Sequence, residues 1–211
     1  MSARGLLEQL HHELAPVEQA IASHRYLKSA PTKESLRAFA GEQYLILRGD
    51  RRSFAHLAAR FPEPPAGDLF LALAQGEGQA LEHLRALASS LDVDELWLEA
   101  YQPQPGCQAY TAFVAWLALG GSRADVALPV LANLDAWGRN CGRLAELLAG
   151  RCDTSFFEFF AEPPPGFGEQ GLAVADQGLE SGDSPEGAGR AARLLQGYEL
   201  LFWDTLADEL Q

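Results

Sequence analysis

The sequence predicts an all-α fold, a bundle of about seven or eight helices forming one domain over residues 1–211. Three observations carry this expectation. β-Branched residues are scarce, with six Val, two Ile and four Thr against a great many Leu and Ala; strands favour the former and helices the latter. Clusters of Pro and Gly cut the chain into segments of helical length, and no linker between them is long enough to separate domains. Within the segments, apolar residues recur at the spacing of one helical face.

The breaks fall at Ala30-Pro31, Phe61 to Gly67, Gln102 to Gly106, Gly120-Gly121, Gly150 to Asp153, Pro163 to Gly166 and Ser181 to Pro185. The opening segment, MSARGLLEQLHHELAP, has one Arg and neither an apolar core run nor a small-residue cleavage site, so no secretory leader is expected. Thr32 before Lys33-Glu34 suits a helix N-cap with an acidic first turn. That helix runs to Phe61 with a stripe of Leu36, Phe39, Leu47, Phe54, Leu57 and Phe61. The next segment, Gly67 to Gln102, reads as one stretch. After it, Tyr110 shares a face with Phe113, Val114 and Leu117. Ser122 caps the segment reaching Leu148, and Asp153 or Thr154 starts a short one at Ser155-Phe156-Phe157. Prolines 163–165 end it, Gly166 or Phe167 begins the next, and the last helix runs from about Ser184 to Leu210.

Bulk properties narrow the function. The formal net charge of -13 repels phosphates, so nucleic acid is not an expected partner. The densest basic run, Arg48, Arg51 and Arg52, is interrupted by Asp50 and reads as a solvated face. No apolar run approaches 18 residues, so no membrane span is expected. Cys107, Cys141 and Cys152 are odd in number and lack CxxC spacing, the pattern of reduced thiols in a cytoplasmic protein. No Gly-rich phosphate loop joins a strand to a helix.

The informative residues are polar ones inside apolar stripes. In the last helix Ala192, Leu195, Phe202 and Leu206 lie on one side, opposite Arg190, Arg193, Asp204 and Asp208, and Glu199 projects among the apolar set. A carboxylate there needs hydrogen bonds or a positive partner, or its pKa rises. In the second helix Gln43 and Asp50, seven residues apart and so two turns along one face, sit within the stripe. Such groups line a pocket or tie helices together.

These positions also carry a family resemblance. His24-Arg25-Tyr26-Leu27, Leu36-Arg37-Ala38-Phe39 and Glu42-Gln43-Tyr44 resemble the opening of TenA-like proteins. Ala109-Tyr110-Thr111 is similar to that family's Tyr-Thr element. Ala127-Leu128-Pro129 with Gly138 resembles its Leu-Pro-Cys helix, and Tyr198-Glu199-Leu200-Leu201-Phe202-Trp203 its Tyr-Glu-x-x-Phe-Trp signature. The resemblance implies the haem-oxygenase-like architecture shared by the TenA, PqqC and CADD families, and a homo-oligomer, dimer or tetramer. It also implies an aminopyrimidine pocket related to thiamin. TenA-type thiaminases use a cysteine, a following tyrosine, an early Asp, a pocket tyrosine and a last-helix Glu. Glu199 and Tyr110 match two of the five, whereas Gln43, Val130 and Leu134 stand at the Asp, cysteine and tyrosine positions. Cys141, eleven residues beyond Val130, is about 16 Å along the helix and cannot take over.

Other chemistries fit less well. Five histidines, His11, His12, His24, His56 and His83, all precede Arg85. Glu77 and His83, six residues apart, are about 120° out of register for a shared metal. Glu8-x-x-His11 is a single half-motif where a di-iron site needs two. No metal or cofactor is therefore expected. The expectation is a small, uncharged or weakly basic heteroaromatic ligand held by Gln43, Asp50, Tyr110 and Glu199. Any catalysis would be acid–base chemistry led by Glu199 without a covalent cysteine step. The alternatives are a non-catalytic binding or regulatory protein and a PqqC- or CADD-like oxidoreductase.

Overall fold

The computed structural model describes residues 2–208, and these form nine α-helices and one 3-10 turn, without a strand among them. In order they are α1 (Ala3–Ala22), the 3-10 turn Arg25–Leu27, α2 (Lys33–Arg60), α3 (Ala66–Ser90), α4 (Glu95–Ala100), α5 (Pro105–Gly120), α6 (Arg123–Leu148), α7 (Ser155–Ala161), α8 (Phe167–Glu180) and α9 (Pro185–Asp208). Leu210, where the sequence carries the last helix, lies outside the described residues. No helix among these residues is long and apolar enough to cross a membrane.

The local signals act as expected at most ends. The Thr32 side chain accepts from the Ser35 N–H, and Ser122 forms a reciprocal capping box with Asp125. Asp153 accepts from both the N–H and the hydroxyl of Ser155, which fixes the start of α7. Gly166 enters α8 in the left-handed region at φ 80°, where a side chain would strain the backbone.

One break is absent from the sequence reading. The segment from Gly67 to Gln102 divides into α3 and α4, because the chain turns at Leu91–Asp94 with Asp92 at φ 57°. Asp94 then caps α4 by accepting from the Trp97 N–H at 2.8 Å. Aspartate tolerates the left-handed region better than most residues, so no Gly or Pro marks the turn.

Helix α2 packs against α3 and α5, while α9 packs against α1, α5 and α6. Their apolar faces make two clusters. One gathers α1, the start of α3, the start of α6 and α8, with Phe54, Leu57 and Leu195. The other gathers α4, α7 and the far ends of α3, α6 and α9 around Phe39, Trp203 and Phe156. Tyr110 packs against both, and the cavity described next opens where they meet.

Candidate functional site

Each helix around this junction turns one stripe inward. Gln43, Ile46, Leu47, Asp50 and Phe54 come from α2, and Leu73 and Glu77 from α3. Val130, Asn133, Leu134 and Trp137 come from α6, at the intervals of a single helical face. Tyr110 of α5, Phe160 of α7, and Glu199 and Phe202 of α9 complete the lining. The cavity is partly open, and about 690 Å³ in and around it, the open side included, is free of protein atoms.

Two glycines permit these helices to come close enough. A Cβ on Gly49 would sit 2.6 Å from the Thr111 hydroxyl, and one on Gly138 would sit 2.9 Å from the Phe160 carbonyl oxygen. The first lets α5 reach α2 beside Asp50. The second lets α7 bring Phe160 over α6.

Glu199 is 2% exposed and accepts hydrogen bonds from four side chains. They are the Trp203 indole at 3.2 Å, the Gln196 amide at 3.2 Å, the Asn140 amide at 3.4 Å and, closer still, the Asn133 amide. All four are neutral donors. They favour the carboxylate, but burial outweighs them and pushes its pKa up to about 7. Asn133 extends the network, since its carbonyl accepts from the Tyr110 hydroxyl at 3.3 Å. Burial, reinforced by the charges of Asp50, Glu77 and Glu199, holds Tyr110 as a phenol and hence as a donor.

A second acidic group lies on the α2–α3 side. The Thr111 hydroxyl donates to Asp50 at 2.6 Å, yet burial still raises this carboxyl to about 7. Glu77 is raised well above the ordinary range by burial and by the charge on Asp50. Gln43 is 4% exposed and turned to the cavity. Among the described residues no group hydrogen-bonds to its side-chain amide.

The structure thus brings Gln43, Asp50, Tyr110 and Glu199 to one cavity, together with Val130 and Leu134, the positions at which the resemblance leads one to look for a cysteine and a tyrosine. Sequence reasoning missed Asn133, Asn140 and Gln196. The signal existed, because Asn133 and Asn140 are seven residues apart within the buried face of α6, the same pattern as Gln43 and Asp50. Glu77 was weighed only as a partner for His83. The two do diverge: Glu77 lines the cavity, while the His83 ring packs on Phe159 at 5.2 Å. Cys141 is fully buried outside the lining, and burial holds its thiol well above its usual pKa. His24 is occupied structurally, accepting from the Tyr26 N–H at 3.2 Å and contacting Asp204 at 3.1 Å. Among the described residues no three His, Cys, Asp or Glu side chains converge as metal ligands would.

The architecture has solved counterparts. A TenA homologue from P. horikoshii OT3 superposes with a TM-score of 0.79 at 16% identity, covering 95% of this chain and 97% of its own. A TenA homolog from Pseudomonas syringae pv. tomato gives 0.80 at 13% identity, covering 99% and 96%. A domain of unknown function with a heme oxygenase-like fold from Shewanella denitrificans gives 0.71 at 14% identity, covering 97% and 93%. At these identities the likeness establishes the fold, which is haem-oxygenase-like. No curated protein sequence matches the chain significantly. The profile of the TENA/THI-4/PQQC family matches residues 11–162, the greater part of the sequence, and the chain belongs to that family.

Proposed function

We propose that this TenA-like protein binds a small heteroaromatic ligand of the aminopyrimidine type in the cavity between α2, α3, α5, α6, α7 and α9. The observation that carries this reading is the pairing of two unlike polar groups in an otherwise aromatic and aliphatic chamber. Glu199 is held by four donors, one of which a ring amino group can replace, while Gln43 is 4% exposed and its amide has no hydrogen-bond partner among the described residues. A ligand's ring nitrogen and amino group can supply the hydrogen bonds that the Gln43 amide lacks. Trp137, Phe202, Phe160 and Tyr110 give the chamber an aromatic lining for a flat ring.

Cysteine-dependent hydrolysis is not part of the proposal, because Val130 stands at the cavity position of the resembling nucleophile. If a reaction occurs, Glu199 is the proton-transferring group. A pKa of about 7 lets it hold and release a proton near neutrality.

Calorimetric titration with 4-amino-2-methylpyrimidine tests the reading. Binding to the wild type and at least tenfold weaker binding to Gln43→Leu are expected; no binding to the wild type removes it.

We further propose one cytoplasmic domain that forms a homo-oligomer. Free cysteines at 107, 141 and 152 suit a reducing compartment. On α5, Trp116 and Leu119 are exposed although large and apolar, and the Trp116 ring continues from Phe113 and Tyr198.

A further inference from the structure

The cavity contains more acid than the proposed ligand contacts require. Asp50, Glu77 and Glu199 all line it, and no Lys, Arg or His is among the lining residues. Glu199 is satisfied by its four amide and indole donors. The other two are not. Thr111 donates to one oxygen of Asp50, and among the described residues no donor reaches Glu77.

An acidic cluster alone says little, because buried carboxyls can be neutralised by shared protons. Here a second observation points to a guest. Gln43 lies two turns from Asp50 on the same face of α2, is 4% exposed, and turns an unpartnered amide into the same chamber. Among the described residues, Gln43 and Glu77 have no side-chain hydrogen bond, and Asp50 has one, from Thr111.

Resting on the reading of this chamber as a ligand site, we propose that Asp50 and Glu77 form a cation-binding subsite that takes a protonated amine or amidinium group of the ligand. Two carboxylates from neighbouring helices can share the N–H donors of such a group, and charge-assisted bonds of this kind are the strong ones. The aromatic walls can add to the preference, since Phe54 and Tyr110 line the chamber. The ring of the ligand then lies toward Trp137 and Glu199, and its charged substituent lies between α2 and α3.

This arrangement links binding to proton release. Asp50 is pushed up to about 7 by burial, and Glu77 is raised by burial and by Asp50. A cation must displace the proton they hold, so its affinity increases as pH rises through that range. The other titratable groups facing the pair are Tyr110 from α5, which stays protonated, and Glu199 from α9, also pushed up to about 7. From α6 and α7 the lining side chains are uncharged: Val130, Asn133, Leu134, Trp137 and Phe160.

Three ring compounds of one shape test the subsite: benzamidinium, benzamide and benzoate, titrated at pH 6 and pH 8 into the wild type, Asp50→Asn, Glu77→Gln and the double variant. Benzamidinium should bind the wild type at least tenfold more tightly than benzamide at pH 8, by a margin that shrinks at pH 6, with benzoate weakest. In the double variant, with its fold checked by circular dichroism, the margin should disappear. Because benzamidinium and benzamide, and the two pH values, are compared within the wild type, the proposal can fail even if a variant does not fold. Equal affinity for benzamidinium and benzamide in the wild type overturns it, as does a charge preference that survives in the double variant. Stabilisation by Mg²⁺ or Mn²⁺ but not by benzamidinium also overturns it, in favour of an inorganic cation. Binding of 4-amino-2-methylpyrimidine without any charge preference removes the subsite and leaves the ligand site standing; no binding by any of these compounds removes both.

Discussion

At the scale of single residues, the chemistry turns on how burial and hydrogen bonding compete at Glu199. Four neutral donors favour the ionised form, and desolvation opposes them more strongly, so the folded protein holds this proton up to about pH 7 whereas a free glutamate loses it near 4.5. The folded state therefore binds more protons than the unfolded chain between those values, and stability falls as pH rises through them. Urea unfolding at pH 4.5 and pH 8 should show the wild type losing on the order of 3 kcal/mol more than Glu199→Gln across that interval. Equal losses in the two proteins contradict the buried, proton-holding acid. A second residue-scale expectation concerns Val130. Its replacement by cysteine places a thiol on the cavity wall, whereas Cys107 and Cys141 are fully buried. Val130→Cys should gain one thiol that reacts with a small alkylating reagent and is shielded by 4-amino-2-methylpyrimidine, as read by intact mass. The facing of Glu199, Gln43 and Asp50 was legible in the sequence, because each interrupts a strongly apolar stripe. The network that holds Glu199 was not legible, because Asn133 and Asn140 reach it from a different helix, a contact that no local pattern encodes. Glu77 carries the same signal as Gln43 and Asp50, since Leu73, Ala74, Ala80 and Leu81 surround it on its own face of α3.

At the scale of elements, the helix ends and close approaches decide whether the cavity keeps its shape. The capping box at Ser122 satisfies donors at the start of α6, the helix that supplies four lining residues. Ser122→Ala should cost about 1 kcal/mol in chemical denaturation. Gly49 matters more, because α5 can approach α2 only where a Cβ is missing. Gly49→Ala sets a methyl 2.6 Å from the Thr111 hydroxyl, so the hydroxyl must leave Asp50 or the helices must separate. A loss of about 1–3 kcal/mol is expected from overpacking, and Gly49→Ala/Thr111→Ala should recover part of it. No recovery in the double variant contradicts the steric account. Most helix ends were legible because Pro, Gly, Ser and Thr mark them. The Leu91–Asp94 turn was not, because an aspartate in the left-handed region did what a glycine usually does.

At the scale of the whole molecule, the fold survives with 13–16% identity to the solved TenA homologues. What such distant chains share is the order of helices and the facing of a few inward residues, and those are set by periodicity and punctuation rather than by residue identity. Periodicity and punctuation therefore made the all-helical class legible, while the haem-oxygenase-like architecture was legible only through the resemblance of short motifs such as Tyr198-Glu199-Leu200-Leu201-Phe202-Trp203, and the ligand was not legible. The ligand depends on distances between helices remote in the chain, such as α2 and α9, which no local pattern encodes. The proposed homo-oligomer belongs to this scale too. Trp116→Glu with Leu119→Glu should convert it to monomers in sedimentation velocity runs, and an unchanged sedimentation coefficient rules out α5 as the interface.

The account stands or falls on where a ligand sits. A crystal structure of the protein soaked with 4-amino-2-methylpyrimidine measures this directly. It should show the ring beside Trp137, its amino group within hydrogen-bond distance of Glu199 and the Gln43 amide engaged. Density for the compound only on the outer surface, with the chamber between α2 and α9 unchanged, would contradict it.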